Sequence, residues 1–166
     1  TAYYRISLTG GEAVKAFTVP LKAIGIWKLD VDLYLIKART DAGIGDFAAM
    51  SEEQREQVLK SKKDNVDYEV FDEIPFWSNG GGFTNKLRNT LYVVDAKAKT
   101  CTPITAPLFM TGDVDVKEGK VLYTGEEYTS RPQRKASVYL YDVKAKTTEC
   151  IYDKKEYSIH EAAFFG

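Results

Sequence analysis

Residues 72–95 read DEIPFWSNGGGFTNKLRNTLYVVD. Phe76 and Trp77 open an aromatic cluster that Phe83 completes beyond the Gly80-Gly81-Gly82 run. The stretch closes on Leu91-Tyr92-Val93-Val94 and Asp95. The glycines give the backbone freedom to reverse, and the apolar run has the composition of a buried strand.

The same strand-and-turn pattern recurs on both sides. Tyr3-Tyr4-Arg5-Ile6-Ser7-Leu8 runs into TGGEAVKAFT, Leu91-Tyr92-Val93-Val94-Asp95 into AKAKTCTPIT, and Val138-Tyr139-Leu140-Tyr141-Asp142 into VKAKTTECIY. Each reads as a hairpin by its turn chemistry. Each is followed by a further strand candidate: AIGIWKL from Ala23, FMTGDVDV from Phe109 and YSIHEAAFF from Tyr157. The first two lead on to Leu33-Tyr34-Leu35-Ile36 and, through the Glu118-Gly119 reversal, to Val121-Leu122-Tyr123-Thr124.

Leu91 and Val138 stand 47 residues apart, whereas Tyr3 and Leu91 stand 88 apart. An insertion over residues 41–89 accounts for the excess, since only one strand pair precedes Asp41. Four short strands at a period of about 47 predict an all-β chain, a partial β-propeller with one helix-containing insertion. A sandwich of irregular hairpins is the plainer alternative. Inside the insertion, Ser51 and Gln54 form a capping box. Glu52, Glu53 and Glu56 lie early and Lys60, Lys62 and Lys63 late, as a helix dipole favours. Few apolar residues line that helix, so it is expected on the surface, ending at Asp64-Asn65. Val66 to Phe71 alternates weakly, as a short strand does.

Composition narrows the class. Apolar residues are 44% and charged residues 28%, which places the chain among globular and not disordered sequences. A net charge of −1 supplies no field toward nucleic acid or membrane. Arg131, Arg134 and Lys135, and Lys60, Lys62 and Lys63, lack interleaved aromatics and read as solvated surface. No apolar run approaches the roughly 20 residues that span a bilayer. Two cysteines, Cys101 and Cys150, make no zinc signature and fit a reducing cytoplasm.

No serine has the flanking glycines of a nucleophile elbow, and His160, the only histidine, has no marked acid or nucleophile. Gly80-Gly81-Gly82 leads into Phe83-Thr84-Asn85 rather than the Lys-Ser/Thr of a phosphate loop. Asp30 with Asp32, and Asp113 with Asp115, share a strand face as calcium ligands do, but no third ligand is suitably spaced. Exposed turn acids account for them as well. No catalytic residue, cofactor site or metal site is expected in the chain itself. Phe76, Trp77 and Phe83 form the best functional cluster. Packing of the insertion is the first reading, and a surface facing a partner domain or substrate chamber is the second.

One family resemblance rests on residues 66–105. An acidic-Ile-Pro-aromatic segment (Asp72, Ile74, Pro75, Phe76), an Asn-Gly-x-Gly-Phe turn (Asn79, Gly80, Gly82, Phe83) and the Leu91-to-Asp95 strand follow one another. This order resembles a blade in the propeller domain of the prolyl oligopeptidase family of serine peptidases, in its acylaminoacyl-peptidase-like branch. The Ser-Pro-Asp-Gly hairpin end frequent in that family is replaced by Lys28-Leu29-Asp30-Val31 and Val116-Lys117-Glu118-Gly119. The resemblance implies a propeller that caps and gates an α/β-hydrolase domain acting on short peptides. None of that domain's Ser, Asp and His can be carried to a residue here. The chain is therefore expected to be a piece of a longer protein, starting in the second half of one blade and ending after the first strand of another. The hydrolase domain would be its partner, and open blade edges would make the isolated piece self-associate. A non-enzymatic propeller that binds proteins through its faces is the alternative, and an independent ligand-binding β domain a third.

Overall fold

A computed structural model describes residues 1–68, 70–153 and 156–165. The chain forms β1 (Ala2–Arg5), β2 (Val14–Thr18), β3 (Lys22–Lys28) and β4 (Leu33–Asp41), then α1 (Glu52–Asp64). There follow β5 (Trp77–Ser78), β6 (Gly82–Phe83), β7 (Leu87–Asp95) and β8 (Thr100–Pro103). The last four strands are β9 (Phe109–Lys117), β10 (Lys120–Glu127), β11 (Ser137–Asp142) and β12 (Thr147–Tyr152). The protein is mostly β, in several antiparallel sheets. Two of them are four-stranded meanders, β3-β4-β7-β8 and β9-β10-β11-β12; β1-β2 and β5-β6 are separate hairpins.

Local chemistry explains the turns. Asp95 and Asp142 open identical reversals, each followed by x-Lys-Ala-Lys-Thr. Asp95 Oδ1 accepts from Lys97 N–H (3.0 Å) and Ala98 N–H (2.7 Å); Asp142 Oδ1 accepts from Lys144 and Ala145 N–H (both 2.9 Å). The lysine that ends each turn, Lys99 or Lys146, takes the left-handed conformation at φ 56° or 55°. Such side-chain-to-backbone bonds set the reversal before any sheet forms. Glu118 and Gly119, both at positive φ, make the two-residue turn of the β9–β10 hairpin.

The β3-β4-β7-β8 sheet is covered on both faces, which is why its central strands are nearly continuous in apolar residues. Ile36, Ala38, Tyr92 and Val94 pack with Val19, Leu21, Tyr3 and Phe17 from the β1–β2 side. Leu35 and Leu91 face the other way and pack with Phe109, Val121, Tyr123 and Tyr141 of the second sheet. Neighbouring residues along a strand point to opposite faces, so LYLI and LYVV each serve two cores. Within the second core Tyr123 stacks on its cross-strand partner Tyr139 at 5.4 Å, and Phe109 stands edge-on to both. Gly125 makes room for that arrangement: a Cβ there would lie 2.3 Å from the Phe109 ring.

The connection between β4 and β7 spans residues 42–86, within the 41–89 span read from the sequence. Its helix carries the capping box: Ser51 Oγ accepts from Gln54 N–H (3.2 Å) and Gln54 Oε1 from Ser51 N–H (2.9 Å). None of its residues is buried. Asn65 caps its C-terminal end.

Two expected strands are corrected. The stretch from Val66 to Phe71 contains no strand among its described residues; Glu69 lies outside them. Its alternation is too weak to find a ladder partner, and Asn85 instead takes Val70 O (2.8 Å) and Asp72 N–H (3.3 Å). YSIHEAAFF, residues 157–165, is also not a strand. It lies against the second sheet through one backbone bond, Ile159 N–H to Ala136 O (2.9 Å), and otherwise through side chains: Asp113 accepts from Ala162 N–H (3.3 Å) and Asp115 from Phe164 N–H (2.8 Å). No described helix is long and apolar enough to cross a membrane.

Candidate functional site

The long connection returns to the sheets through residues 72–87, and that return builds the most distinctive surface of the molecule. Asp72 and Lys86 form an ion pair at 2.7 Å across the base of the loop. The hydrogen bond from Lys86 holds the Asp72 carboxyl below the usual carboxylate range, and Asp72 in turn raises the Lys86 ammonium. Between them the β5–β6 hairpin pairs Trp77 with Phe83. Gly80 and Gly82, at φ 72° and 68°, turn it. Thr84 closes it, its N–H on Phe76 O (2.8 Å) and its Oγ1 on Pro75 O (3.1 Å).

This hairpin displays the three aromatic residues singled out in the sequence. Phe76, Trp77 and Phe83 are 44%, 54% and 56% exposed, so none is buried against the sheets. Phe71 gathers two of them: its ring centroid lies 4.6 Å from that of Phe76 and 5.0 Å from that of Phe83. Tyr68, Val70 and Ile74, near them in the chain, are exposed as well. A contiguous exposed apolar surface of this kind is characteristic of a contact with another domain, chain or ligand.

Beneath that surface lies a buried ion pair that the sequence reading missed. Arg88 of β7 is fully buried and Glu73 is 3% exposed. Nη2 donates to Glu73 Oε1 at 2.5 Å and Nη1 to Oε2 at 3.1 Å. The remaining donors reach the carbonyls of Leu108, Leu87 and Tyr128, each at 3.0 Å. All five guanidinium N–H groups are thus used, and the Tyr128 ring covers the cation at 3.8 Å. Burial raises the Tyr128 phenol, against the opposing pull of Arg88. Glu73 Oε2 also accepts Lys86 N–H (2.8 Å). The pair joins the long connection, β7 and the loops at residues 108 and 128. One signal was available: Arg88 shares its strand face with Thr90, Tyr92 and Val94, a charge where burial was expected.

Other sequence-noted groups stand apart from this surface. The His160 side chain is exposed, and its carbonyl accepts from Thr124 Oγ1 at 3.2 Å. Asp113 and Asp115 hold backbone N–H groups, as described above. Asp30 accepts from Val31 N–H at 2.7 Å. Among the described residues no three His, Cys, Asp or Glu side chains gather as metal ligands do. Gly80-Gly81-Gly82 lies in a hairpin and not at a helix N-terminus. Arg131 and Arg134 border a groove beside Ile74 and Pro75, whose peptide bond is cis.

No family model matches the chain, and no curated protein matches it. Solved structures do. The orthorhombic crystal form of Pyrococcus horikoshii acylaminoacyl peptidase superposes with a TM-score of 0.56 at 15% identity, over 92% of this chain. The uncomplexed form of that enzyme gives 0.56 at 14% identity, also over 92%. In each case the match occupies 23% of the peptidase chain, so this chain spans less than a quarter of it. At such identity the likeness is one of fold: this chain is built like a part of that peptidase.

Proposed function

We propose that this chain is part of the β-propeller domain of a serine peptidase of the prolyl oligopeptidase family, where it caps and gates an α/β-hydrolase domain. The observation that carries this reading is the pair of four-stranded meanders packed face to face, in chain order, with superposition over 92% of the chain on the archaeal acylaminoacyl peptidase. Blades of a propeller are such sheets. The substrate class is short peptides, including acylated ones, and the bond-breaking residues belong to the hydrolase domain. In this chain the role is mechanical: to shape the entrance and exclude large substrates. The aromatic surface of Phe76, Trp77 and Phe83 faces either that domain or the substrate. The reducing setting expected of a cytoplasmic enzyme agrees with Cys101 and Cys150 being free thiols.

The exposed outer strand β12, with every residue exposed, supports self-association of the isolated chain. Light scattering that returned a monodisperse monomer would count against that part.

Sequencing the gene on both sides of this segment is the direct test. A following stretch of roughly 250 or more residues with alternating strands and helices and a G-x-S-x-G elbow is the expected result. Continuation only as further four-stranded units would remove the hydrolase and leave the non-enzymatic interaction platform.

A further inference from the structure

The connections between second and third strands of the two sheets, residues 42–86 and 128–136, meet and leave a groove of about 790 Å³. One wall is Ile74 and Pro75; the other is Ser130, Arg131, Pro132 and Arg134. The walls are tied by a hydrogen bond from Ile74 N–H to Ser130 O at 2.8 Å. The Arg88–Glu73 pair anchors both connections behind it, through Glu73 on one and Tyr128 O on the other.

The arginine-bearing wall is held from the back by one carboxylate. Glu126 of β10 accepts from the N–H groups of Gln133 (3.1 Å), Arg134 (3.2 Å) and Lys135 (3.3 Å). Its oxygens are thereby committed to the backbone and not to a guanidinium. Neither Arg131 nor Arg134 has a side-chain hydrogen bond or ion pair among the described residues, in contrast to Arg88, which uses every donor. No Asp or Glu lines the groove. Arg134 also holds φ at 57°, a left-handed conformation uncommon for a residue with a side chain.

The groove therefore offers cationic side-chain donors opposite an apolar wall. A small inorganic anion would meet the guanidinium groups and leave Ile74 and Pro75 uncovered. A carboxylate attached to an apolar residue meets both walls, and the volume falls in the roughly 300–1,000 Å³ range of small-molecule sites. We infer that this groove binds the carboxylate of a peptide, with Arg131 and Arg134 on the carboxylate and Ile74 and Pro75 against the adjoining apolar residue. Charge-assisted bonds from arginine suit a planar carboxylate. The inference rests on the groove alone and holds whether or not a hydrolase domain follows.

Isothermal titration of the 166-residue chain tests it. The probes are acetyl-Gly-Ala-Leu as the free acid, the same peptide as its C-terminal amide, acetyl-Gly-Glu-Ala amide, and acetate. The free acid is expected to bind at least about ten-fold tighter than the amide and than acetate. Binding of the Glu peptide as well would assign any peptide carboxylate; its failure would assign the chain terminus; both support the site. Arg131→Gln and Arg134→Gln should each weaken the free acid about ten-fold. Lys135→Gln, which removes the same charge outside the groove lining, should leave it unchanged. Ile74→Ala should weaken the peptide and not acetate. Equal binding of acid and amide, no binding of either, or an equal loss in Lys135→Gln overturns the proposal. Circular dichroism of each variant separates lost binding from lost structure.

Discussion

The two four-stranded sheets share a plan and differ in one connection. In β9-β10-β11-β12 the second and third strands are joined by residues 128–136; in β3-β4-β7-β8 they are joined by residues 42–86. The longer connection leaves the ladder intact: β4 and β7 pair without a break from Leu33↔Asp95 to Asp41↔Leu87. Closing a chain five times longer costs only about 1.4 kcal/mol more entropy, because the cost grows with the logarithm of length. Register is set by the two apolar faces of the strands, and the insertion adds Ala48 to the packing on one of them without interrupting the pairing. A repeated sheet can thus carry a large addition at this edge. The addition still has to be fastened, and here Arg88 and Glu73 fasten it.

The largest expected effect separates the two connections. Arg88→Ala should destabilise the chain by about 3–5 kcal/mol in urea unfolding, since it strands a buried carboxylate. The double substitution Arg88→Met with Glu73→Leu should recover part of that loss, because it removes the stranded charge but leaves Lys86 N–H and the carbonyls of Leu87, Leu108 and Tyr128 without these partners. A small effect of Arg88→Ala would mean that the insertion is not fastened there.

Next comes a contrast between equivalent outer strands. Cys101 on β8 pairs with Val94 and Cys150 on β12 with Tyr139. Cys101 packs against the core, where burial, aided by Asp46, pushes its thiol up to about 11. Cys150 is exposed. Alkylation at about pH 8 should label Cys150 at least roughly ten-fold faster, followed by mass spectrometry. Equal rates would show that the two outer strands are equally open.

A smaller effect belongs to the insertion alone. Ser51→Ala removes the cap of α1 and should cost about 1 kcal/mol, read as lost helical circular dichroism before the sheets unfold. Simultaneous loss of both signals would show that helix and sheets unfold as one.

The smallest is a pH effect in the second sheet. The N–H groups of Ala145 and then Lys144, with help from nearby lysines, hold the Asp142 carboxyl below its ordinary range. A depressed folded value means the contribution is complete above the unfolded carboxylate value of about 3.9 and is lost as pH falls through the folded value. The urea midpoint should therefore decline across that acid window, and less so in Asp142→Asn. Identical pH profiles for the two proteins would assign the decline to other carboxylates.

Much of the fold was legible because it is local. Short continuous apolar runs mark β4, β7, β10 and β11. The Asp-x-Lys-Ala-Lys-Thr turns mark two hairpins, and Ser51 with Gln54 marks the start of α1. The segment from Tyr157 misled for an instructive reason. Its aromatic and β-branched residues suit a strand, yet its N–H groups at positions 162 and 164 go to Asp113 and Asp115 carboxylates rather than to a neighbouring ladder. Strand composition says that a segment fits a pleated surface, and the partner decides whether a ladder forms. The aromatic cluster was legible as residues but not as an exposed surface: Phe76, Trp77 and Phe83 read first as packing of the insertion, and the structure leaves them exposed.

By itself, then, the sequence determined the strands of the two four-stranded sheets, their reversals and the start of α1, because turn chemistry and short apolar runs act between residues a few positions apart. Only the tertiary structure decided that Arg88 would find Glu73, that Arg131 and Arg134 would stand free beside Ile74, and that three aromatic rings would face outward. Those outcomes depend on which surfaces of separate sheets and connections come together. A chain read one residue after another carries the charges and the rings, but not the distances between segments that assign each of them a partner.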